Sequence, residues 1–345
     1  MAVYTDLDRN ALGELIDDYG LGALVDVRGI ATGSVNSNYR LETTRGTHVL
    51  RVDEVKGELD VKRELDLLLF LRKQGFSCPQ PLADRKGRHY RDLGGKCASV
   101  FRWIDGDVVS VERLDAERLE QIGRMLAELH LVGKQYKKGI ENRFSYDRVV
   151  EIYALVRDRM PAYFKRTVRT LDDEIDYLRH YLETKLPRGI VHGDLFPDNL
   201  LFAGSKLVAV LDFEAAARGR YVFDLATAVN ALAFVGEQYD LKRFEALLAG
   251  YESIRPLSLA EWDAFPNELR LSALRFTVTR LRDFFLHPVE EGSRVDKDFR
   301  EFYERLRILR RERDGGMDGL LMAMATGYDY RKYQRVKALE RKGSK

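Results

Sequence analysis

A set of polar side chains interrupts the apolar stretch IVHGDLFPDNLLFAGSKLVAVLDFE, which covers residues 190–214. The set consists of His192, Asp194, Asn199, Asp212 and Glu214. A buried carboxylate is strongly unfavourable unless it is paired or binds a cation. We therefore expect these side chains to carry chemistry.

The spacing of three of these residues predicts that they converge. Residues 199–203 and 206–213 are typical of two strands around the turn at Gly204-Ser205. A hairpin of this kind places Asn199 nearly opposite Asp212, since both lie at similar distances from the turn. Asp194 precedes Asn199 by five residues. The amide oxygen of Asn199 and the carboxylate of Asp212 would then lie close together, with the carboxylate of Asp194 nearby.

This group of oxygen atoms suits a hard divalent cation. There are too few of them for a closed cage, which favours Mg²⁺ that keeps waters and takes further ligands from phosphates. Asp194 can then stay off the metal and accept a proton from an attacking hydroxyl. Positioning combined with charge neutralisation is the layout of phosphoryl transfer.

The N-terminal third of the chain must supply a sheet. Residues 25–53 predict three strands, with a hairpin-like break at Arg45-Gly46. Residues 58–73 predict a helix, because Val61, Leu65 and Leu68 share one face, and Gly75 follows as a stop. Short extended pieces continue to KCASVFRWI.

Helical periods dominate after Gly106, and the stretch at 190–214 is the one clear strand interruption in that half. We predict an α+β chain with a β-rich lobe at 1–102, a larger helical lobe at 103–313 and a peripheral tail at 314–345. The helical stretches run roughly over 114–133, 145–185, 222–234, 241–253 and 259–312.

Composition excludes several classes of protein. A net charge of +2 is too small to indicate a nucleic-acid or membrane partner. The two cysteines, Cys78 and Cys97, exclude a disulfide framework or a cysteine zinc site. No HExxH or HxxxH spacing occurs, and His130 is interpreted as a packed helix histidine. The start MAVYTDLDRN does not resemble a signal peptide, so we expect a cytoplasmic protein.

Two motifs resemble those of kinases. HGDLFPDN is similar to the catalytic loop H-x-D-L-x-x-x-N, and LDFE lies where kinases carry D-F-G. The chain resembles the kinase-like aminoglycoside phosphotransferase superfamily, which implies a bilobal protein-kinase-like fold with a small antiparallel sheet and a larger helical lobe. The resemblance implies that Asp194 is the catalytic base and that Asn199 and Asp212 bind Mg²⁺. His192 would order the loop, and Asp224 would brace it from beneath.

A candidate nucleotide site lies in the sheet lobe. No GxxxxGK[ST] motif occurs, but ATGSVNSNYRLE lies between two predicted strands. Gly33 permits a tight turn there, and Ser34, Asn36 and Asn38 offer hydrogen-bond donors to phosphates. Taken alone, this composition is more typical of an ordinary turn, and its interpretation as a phosphate loop depends on the residues that follow.

The strand HVLRVD places Arg51 where kinases carry the lysine that contacts the α- and β-phosphates of ATP. Glu64 lies thirteen residues further on the inward helix face and could hold Arg51. The alternative is an ordinary surface pair. SVFRWIDG resembles the kinase hinge that binds adenine, so Phe101 and Trp103 are either adenine contacts or plain core.

The acceptor is indicated by a second resemblance. HGDLFPDNLLF, FDLATAVNALAF and LRLSALRFTVTRLRDFF resemble the bacterial homoserine kinases of aminoglycoside-phosphotransferase type, over roughly residues 5–312. This implies ATP- and Mg²⁺-dependent phosphorylation of L-homoserine, a step of threonine biosynthesis. Glu214 and three alanines replace the aromatic residues expected after the metal-binding D-F, and the tail is longer than expected.

Homoserine is a zwitterion, so its site needs a cation and an anion. Arg280, among apolar residues of the predicted last helix, is our candidate for the carboxylate, although it could instead pair with Asp283. Glu214 and Asp198 are candidates for the amine.

Other functions remain to be weighed. A kinase for choline, a sugar or an aminoglycoside is possible, although the arginine-rich run at 255–313 disfavours a polycationic substrate. An inactive nucleotide-binding regulator is disfavoured because Asp194, Asn199 and Asp212 are all present. A protein kinase is disfavoured by the missing D-F-G glycine and the missing A-P-E segment.

Overall fold

The computed structural model describes Thr5, Leu7 and residues 9–30, 36–183, 185–286 and 297–314. Two predicted phosphate-loop residues, Gly33 and Ser34, lie outside the described residues, as does the predicted tail beyond Asp314. In the described part of the chain, no helix combines the length and the apolar character needed to cross a membrane.

Nine α-helices and twelve strands occur within these described ranges. The helices are α1 (Arg9–Tyr19), α2 (Glu58–Lys73), α3 (Ala116–Gly133), α4 (Tyr146–Arg157), α5 (Lys165–Tyr181), α6 (Tyr221–Leu232), α7 (Leu241–Ile254), α8 (Leu259–Leu286) and α9 (Phe299–Asp314). The strands are β1 (Leu24–Gly29), β2 (Ser37–Thr43), β3 (Gly46–Asp53), β4 (Arg91–Leu93), β5 (Lys96–Arg102), β6 (Asp107–Val108), β7 (Arg188–Val191), β8 (Leu200–Ala203), β9 (Lys206–Val210), β10 (Ala217–Arg220), β11 (Phe234–Val235) and β12 (Gln238–Tyr239).

The chain divides into two compact units. The first contains the described residues up to Asp107 together with Val208–Glu214, and the second contains Val108–Leu207 and most of the chain after Glu214. The first unit is built on an antiparallel sheet and the second is mainly helical. The predicted α+β class is confirmed.

The sheet of the first unit has the order β1-β2-β3-β5-β4. Buried and partly exposed residues alternate along β2 and β3, as expected for strands whose successive side chains point to opposite faces. Leu50 and Val52 therefore face one side, and Arg51 faces the other. The predicted break at Arg45-Gly46 and the predicted helix at 58–73 are both confirmed.

Helix α1 covers the Leu50 face, although the sequence reading placed no helix there. Leu12, Leu15, Ile16 and Tyr19 pack with the sheet core. Their spacing of three, one and three residues is that of a single helical stripe. Helix α2 lies on the opposite face, since its Glu64 reaches Arg51.

Helix α6 runs through the core of the second unit, and every one of its residues is buried. Three of its polar side chains, Asp224, Thr227 and Asn230, form one stripe, and each has a hydrogen-bond partner. Thr227 bonds to Ser272, and Asn230 bonds to the carbonyl oxygen of Leu269 and to the hydroxyl of Tyr239. Asp224, the first residue of the stripe, reaches the catalytic loop, as shown below.

Some predicted boundaries in the helical half were wrong. The stretch at 145–185 forms two helices, α4 and α5, because Pro161 lies between them and cannot continue a helix. Strand β10, which the sequence reading omitted, pairs antiparallel with β7. Strands β8 and β9 flank Gly204-Ser205 as predicted, but β9 ends at Val210, so Asp212 lies beyond it.

Two glycines let α3 and α7 pack closely. A Cβ atom on Gly123 would lie 2.0 Å from the carbonyl oxygen of Leu247, and one on Gly250 would lie 2.0 Å from that of Glu120. Both obstacles are backbone atoms, which cannot move without shifting a helix. This contact brings His130 on α3 next to Tyr251 on α7.

We expect Gly123→Ala to lower the free energy of unfolding by about 1–3 kcal/mol, because the added methyl group forces the two helices apart. Urea unfolding followed by circular dichroism measures the change. Gly13→Ala is the matched control, since Gly13 also lies in a helix but a Cβ there meets nothing within 4 Å. The free energy of unfolding of that control should rise by up to about 1 kcal/mol. Equal stability of the two variants would contradict this account of the α3–α7 contact.

Candidate active site

The predicted catalytic loop begins where β7 ends, in the second unit. Gly193 has φ 76°, in the left-handed region that favours glycine. A Cβ atom there would also lie 3.0 Å from the carbonyl oxygen of Ala215. The glycine of HGDLFPDN is therefore required by the backbone path.

Asp224 holds the start of this loop from below. One carboxylate oxygen accepts the backbone N–H of His192 and the other accepts that of Gly193, each at 2.7 Å. Burial alone would raise the pKa of Asp224, but the hydrogen bond from His130, the neighbouring imidazole groups and the N–H of Gly193 hold it below its ordinary value. Asp224 thus makes the contact that the sequence analysis assigned to it.

A buried chain of donors supports the Asp224 carboxylate. His130 Nε2 lies 3.0 Å from Asp224, and its Nδ1 lies 2.7 Å from the hydroxyl of Tyr251. Arg255 in turn donates to that hydroxyl. A neutral imidazole with its proton on Nε2 satisfies all of these contacts, and burial lowers the pKa of His130. His130 is a packed helix histidine as predicted, but its contact with Asp224 was not foreseen.

Asp194 has a fixed backbone and an accessible carboxylate. Its N–H donates to His192 Nδ1 at 3.2 Å, and its carbonyl oxygen accepts from Asn199 Nδ2 at 2.8 Å. Its side chain is 27% exposed. The contact with Asn199 uses the amide nitrogen, which leaves the amide oxygen of Asn199 as the atom suited to a metal ion.

Arg275 on α8 reaches this loop, although the sequence analysis chose Arg280 from the same helix. Arg275 Nη1 donates to the carbonyl oxygen of Gly193, and Nη2 lies 3.9 Å from Asp194 Oδ1. No spacing rule distinguishes these two arginines, because α8 is buried on nearly all sides over most of its length.

The predicted substrate residues of the second unit have other partners. Arg280 Nη1 contacts Glu301 Oε2 at 2.8 Å and the carbonyl oxygen of Asp298 at 2.7 Å. Arg280 does not form the alternative pair with Asp283, since Asp283 pairs with Arg282. Asp198 lies 3.4 Å from Lys297.

In the first unit, Arg51 and Glu64 form the pair that their spacing suggested. Nη1 of Arg51 lies 2.7 Å from Oε1 of Glu64, and both side chains are nearly buried, so this is not an ordinary surface pair. Burial would raise the pKa of Glu64, but Arg51 and Lys56 hold it well below its usual range. The guanidinium of Arg51 lies 5.1 Å from the ring centre of Phe101.

Lys56 and Asp53 complete this cluster and were missed by the sequence analysis. Lys56 Nζ lies 2.6 Å from Glu64, 3.0 Å from Glu214 and 3.5 Å from Asp53. The three carboxylates offer oxygens within 4.8 Å of one another, a spacing that could hold a metal ion. The ammonium group of Lys56 already supplies a cation to all three. The sequence feature that could have identified Asp53 and Lys56 is the acid and the lysine that follow Arg51 in RVDEVK.

The remaining nucleotide candidates lie in the same unit. Asn36 donates to Glu214, and Asn38 donates weakly to the carbonyl oxygen of Asn36 at 3.4 Å. Trp103 is partly exposed, and its Nε1 donates to Asp105 at 3.0 Å. Phe101 is 5% exposed, so only a small part of its ring is open to a ligand.

Asp212 belongs to the first unit, whereas Asp194 and Asn199 belong to the second. Asp212 has φ 58°, a conformation that costs about 1–3 kcal/mol for a residue other than glycine. Its Oδ1 accepts weakly from the N–H of Glu214 at 3.4 Å. The meeting of Asp194, Asn199 and Asp212 around one ion stays a prediction.

We expect acid to destabilise the protein through His130. Its pKa is lowered in the folded state, so its contribution is complete above its ordinary pKa of about 6.5 and is lost as the pH falls below that value. One proton limits the slope to about 1.4 kcal/mol per pH unit. The depressed pKa of Asp224 acts in the same direction below about pH 4.

Thermal unfolding between about pH 7.5 and pH 5.5 measures this effect. His130→Gln keeps a neutral side chain that can donate to Asp224, so its melting temperature should fall less over that interval than the wild type does. His180→Gln, at an exposed position, is the control and should fall as the wild type does. An identical decline in all three proteins would contradict the prediction.

Comparison with known proteins identifies the family of this chain. The family described as "Phosphotransferase enzyme family" matches residues 26–257. A homoserine kinase of Parvibaculum lavamentivorans is 36% identical over 313 residues, which cover 90% of this chain and 96% of the relative. A homoserine kinase of Methylobacterium radiotolerans is 36% identical over 317 residues, which cover 91% and 98%.

Solved structures show the fold. A microcompartment-associated aminopropanol kinase superposes with a TM-score of 0.69 at 20% identity, covering 89% of this chain and 98% of that one. The predicted kinase-like fold is thereby confirmed. The relatives are small-molecule kinases, and so is this protein; its family implies the use of ATP. With a family match over most of its length and close relatives along nearly all of it, the chain belongs to the phosphotransferase enzyme family.

Proposed function

We propose that this protein transfers the γ-phosphoryl group of ATP to the side-chain hydroxyl of L-homoserine, forming O-phosphohomoserine and ADP. The observation that carries the proposal is the 36% identity to homoserine kinases along nearly the whole of both chains. The reaction is a step of threonine biosynthesis, which implies a cytoplasmic enzyme.

In the proposed mechanism, Asp194 is the general base. Its carboxylate accepts the proton of the homoserine hydroxyl as that oxygen bonds to the γ-phosphorus. The bond between the γ-phosphorus and the β–γ bridging oxygen breaks in line, and ADP leaves with the bridging oxygen. The accessible carboxylate of Asp194, on a backbone held by His192 and Asn199, supports this role.

Arg51 is the proposed ligand of the α- and β-phosphates of ATP. Glu64 holds one side of its guanidinium, and Nη2 is a buried donor that makes no hydrogen bond within the described residues. A planar guanidinium binds two phosphate oxygens, whereas a lysine acts as a point charge. Gly33, Ser34, Asn36 and Asn38 would cover the phosphates, with Phe101 and Trp103 near the adenine.

Asn199 and Asp212 would hold Mg²⁺. Their amide and carboxylate oxygens are the hard donors that Mg²⁺ prefers, and Asn199 already turns its amide nitrogen towards the carbonyl oxygen of Asp194. The ion would neutralise charge on the β- and γ-phosphates.

The zwitterionic ends of homoserine need opposite charges. The hydrogen bonds of Arg280 to Asp298 and Glu301 both use Nη1, and we propose Nη2 for the substrate carboxylate. Asp198 lies 3.4 Å from Lys297 but is 54% exposed, so it suits the amine better than Glu214, which is 19% exposed and contacts both Lys56 and Asn36.

A panel of acceptors tests the substrate. With ATP and Mg²⁺ in excess, we expect kcat/KM for L-homoserine to exceed that for choline, 1-amino-2-propanol, a sugar or kanamycin by at least about 100-fold. ADP release and mass spectrometry of the product measure the reaction. L-2-aminobutyrate, which has no hydroxyl, should compete with homoserine without being phosphorylated.

If another alcohol were phosphorylated faster, that alcohol would be the substrate in place of homoserine. If no compound were phosphorylated while ATP still bound, the protein would be a nucleotide-binding regulator, and the proposal would be wrong.

Removal of the base tests the mechanism. Asp194→Asn should bind ATP as the wild type does, while kcat falls by about 10²–10⁴, because the amide cannot accept the hydroxyl proton. Asp240→Asn is the matched control, since asparagine is also a good N-cap residue for α7. Wild-type kcat in Asp194→Asn would show that another group is the base.

A further inference from the structure

Arg275 is a charged side chain buried beside the catalytic loop. It is 3% exposed. Its guanidinium lies between the rings of Phe144 and Phe276, with Cζ 4.1 Å from each ring centre. These rings restrict its plane, so its donors point in fixed directions.

Opposite charges hold the two backbone polar groups of Gly193. The N–H of Gly193 donates to Asp224 Oδ1 at 2.7 Å, and its carbonyl oxygen accepts from Arg275 Nη1. Asp224 comes from α6 and Arg275 from α8. The residue that immediately precedes Asp194 is therefore clamped between a buried anion and a buried cation.

Stability of the core does not explain this arginine. Burial lowers the pKa of Arg275 to about 10, although Asp194 and Asp224 act in the opposite direction. Its Nε is buried without a hydrogen-bond partner in the described part of the chain. Replacement of a buried ion by a well-packed apolar residue is often neutral or stabilising. The polar groups beside its guanidinium are the Gly193 carbonyl group and the Asp194 carboxylate, so the catalytic loop is where its charge acts.

Contact with substrate is also a poor explanation. A guanidinium that is 3% exposed and enclosed by two rings offers almost no surface to a ligand. By contrast, Nη2 lies 3.9 Å from Oδ1 of Asp194, close enough to attract the carboxylate without a direct hydrogen bond.

We propose that Arg275 is the positioning residue of the catalytic loop: it fixes the Gly193 carbonyl group and orients the Asp194 carboxylate for proton transfer. This inference rests on the proposed role of Asp194. Misplacement of a reacting group by about 1 Å can lower a rate about 100-fold. A residue with this role changes kcat more than it changes KM.

Two variants test the role. Arg275→Gln removes the charge and should lower kcat by about 10- to 100-fold, with both KM values within about 3-fold of the wild type. Arg275→Lys restores the charge but not the planar fork, so its kcat should lie between those of Arg275→Gln and the wild type.

Arg270→Gln is the matched control. Arg270 lies on the same helix, is 1% exposed and donates to Glu174 at 2.8 Å beside the ring of Tyr177. Its substitution should destabilise the fold without changing kcat per folded molecule, as judged by circular dichroism and active-site titration.

Equal kcat values for Arg275→Gln and Arg270→Gln would overturn the inference, as would a rise in KM for homoserine with unchanged kcat. If Arg275→Gln does not fold, Arg275→Lys decides: wild-type kcat in that variant overturns the inference, and a loss of at least about 3-fold at unchanged KM supports it. Loss of turnover in Asp194→Asn but not in the Arg275 variants would refute this inference alone. Turnover retained in Asp194→Asn would refute the proposed base itself.

Discussion

The candidate active site depends on the hydrogen bonds that the buried carboxylate of Asp224 accepts. It holds the backbone N–H groups of His192 and Gly193, and so sets the path of the chain into Asp194. An anion with no exposed surface is tolerated only because donors surround it, among them His130. The packing of α3 against α7 through two glycines brings His130 to Tyr251, and thereby completes this chain of donors.

The first unit also holds a buried carboxylate, but there cations take the place of the neutral donors that surround Asp224. In the first unit, Arg51 and Lys56 surround Glu64, and Lys56 also reaches Glu214. Two departures from the usual kinase pattern, arginine for the strand lysine and glutamate for the D-F-G glycine, thus belong to one cluster. Glu214 has a cation nearby, so its charge is accommodated where a glycine would otherwise be expected.

The sequence predicted the strongly periodic elements well. Helix α2, strands β2 and β3 and the break between them have local signals that tertiary packing did not override. Helix α1 also has a clear apolar stripe, although the sequence analysis did not predict this helix. Strand β10 has only four residues, and its identity depends on pairing with β7, which no local pattern reveals.

For the site, the sequence by itself determined the residues whose meaning is local: the HGDLFPDN loop, with its required glycine, and the Arg51–Glu64 spacing from strand to helix. Only the tertiary structure decided which arginine of α8 serves the loop. Four arginines occur between Arg270 and Arg282, and they contact Glu174, Gly193, Glu301 and Asp283 in turn. Because most of α8 is packed on all sides, helical periodicity cannot separate them. Their roles follow from the groups that each arginine side chain contacts.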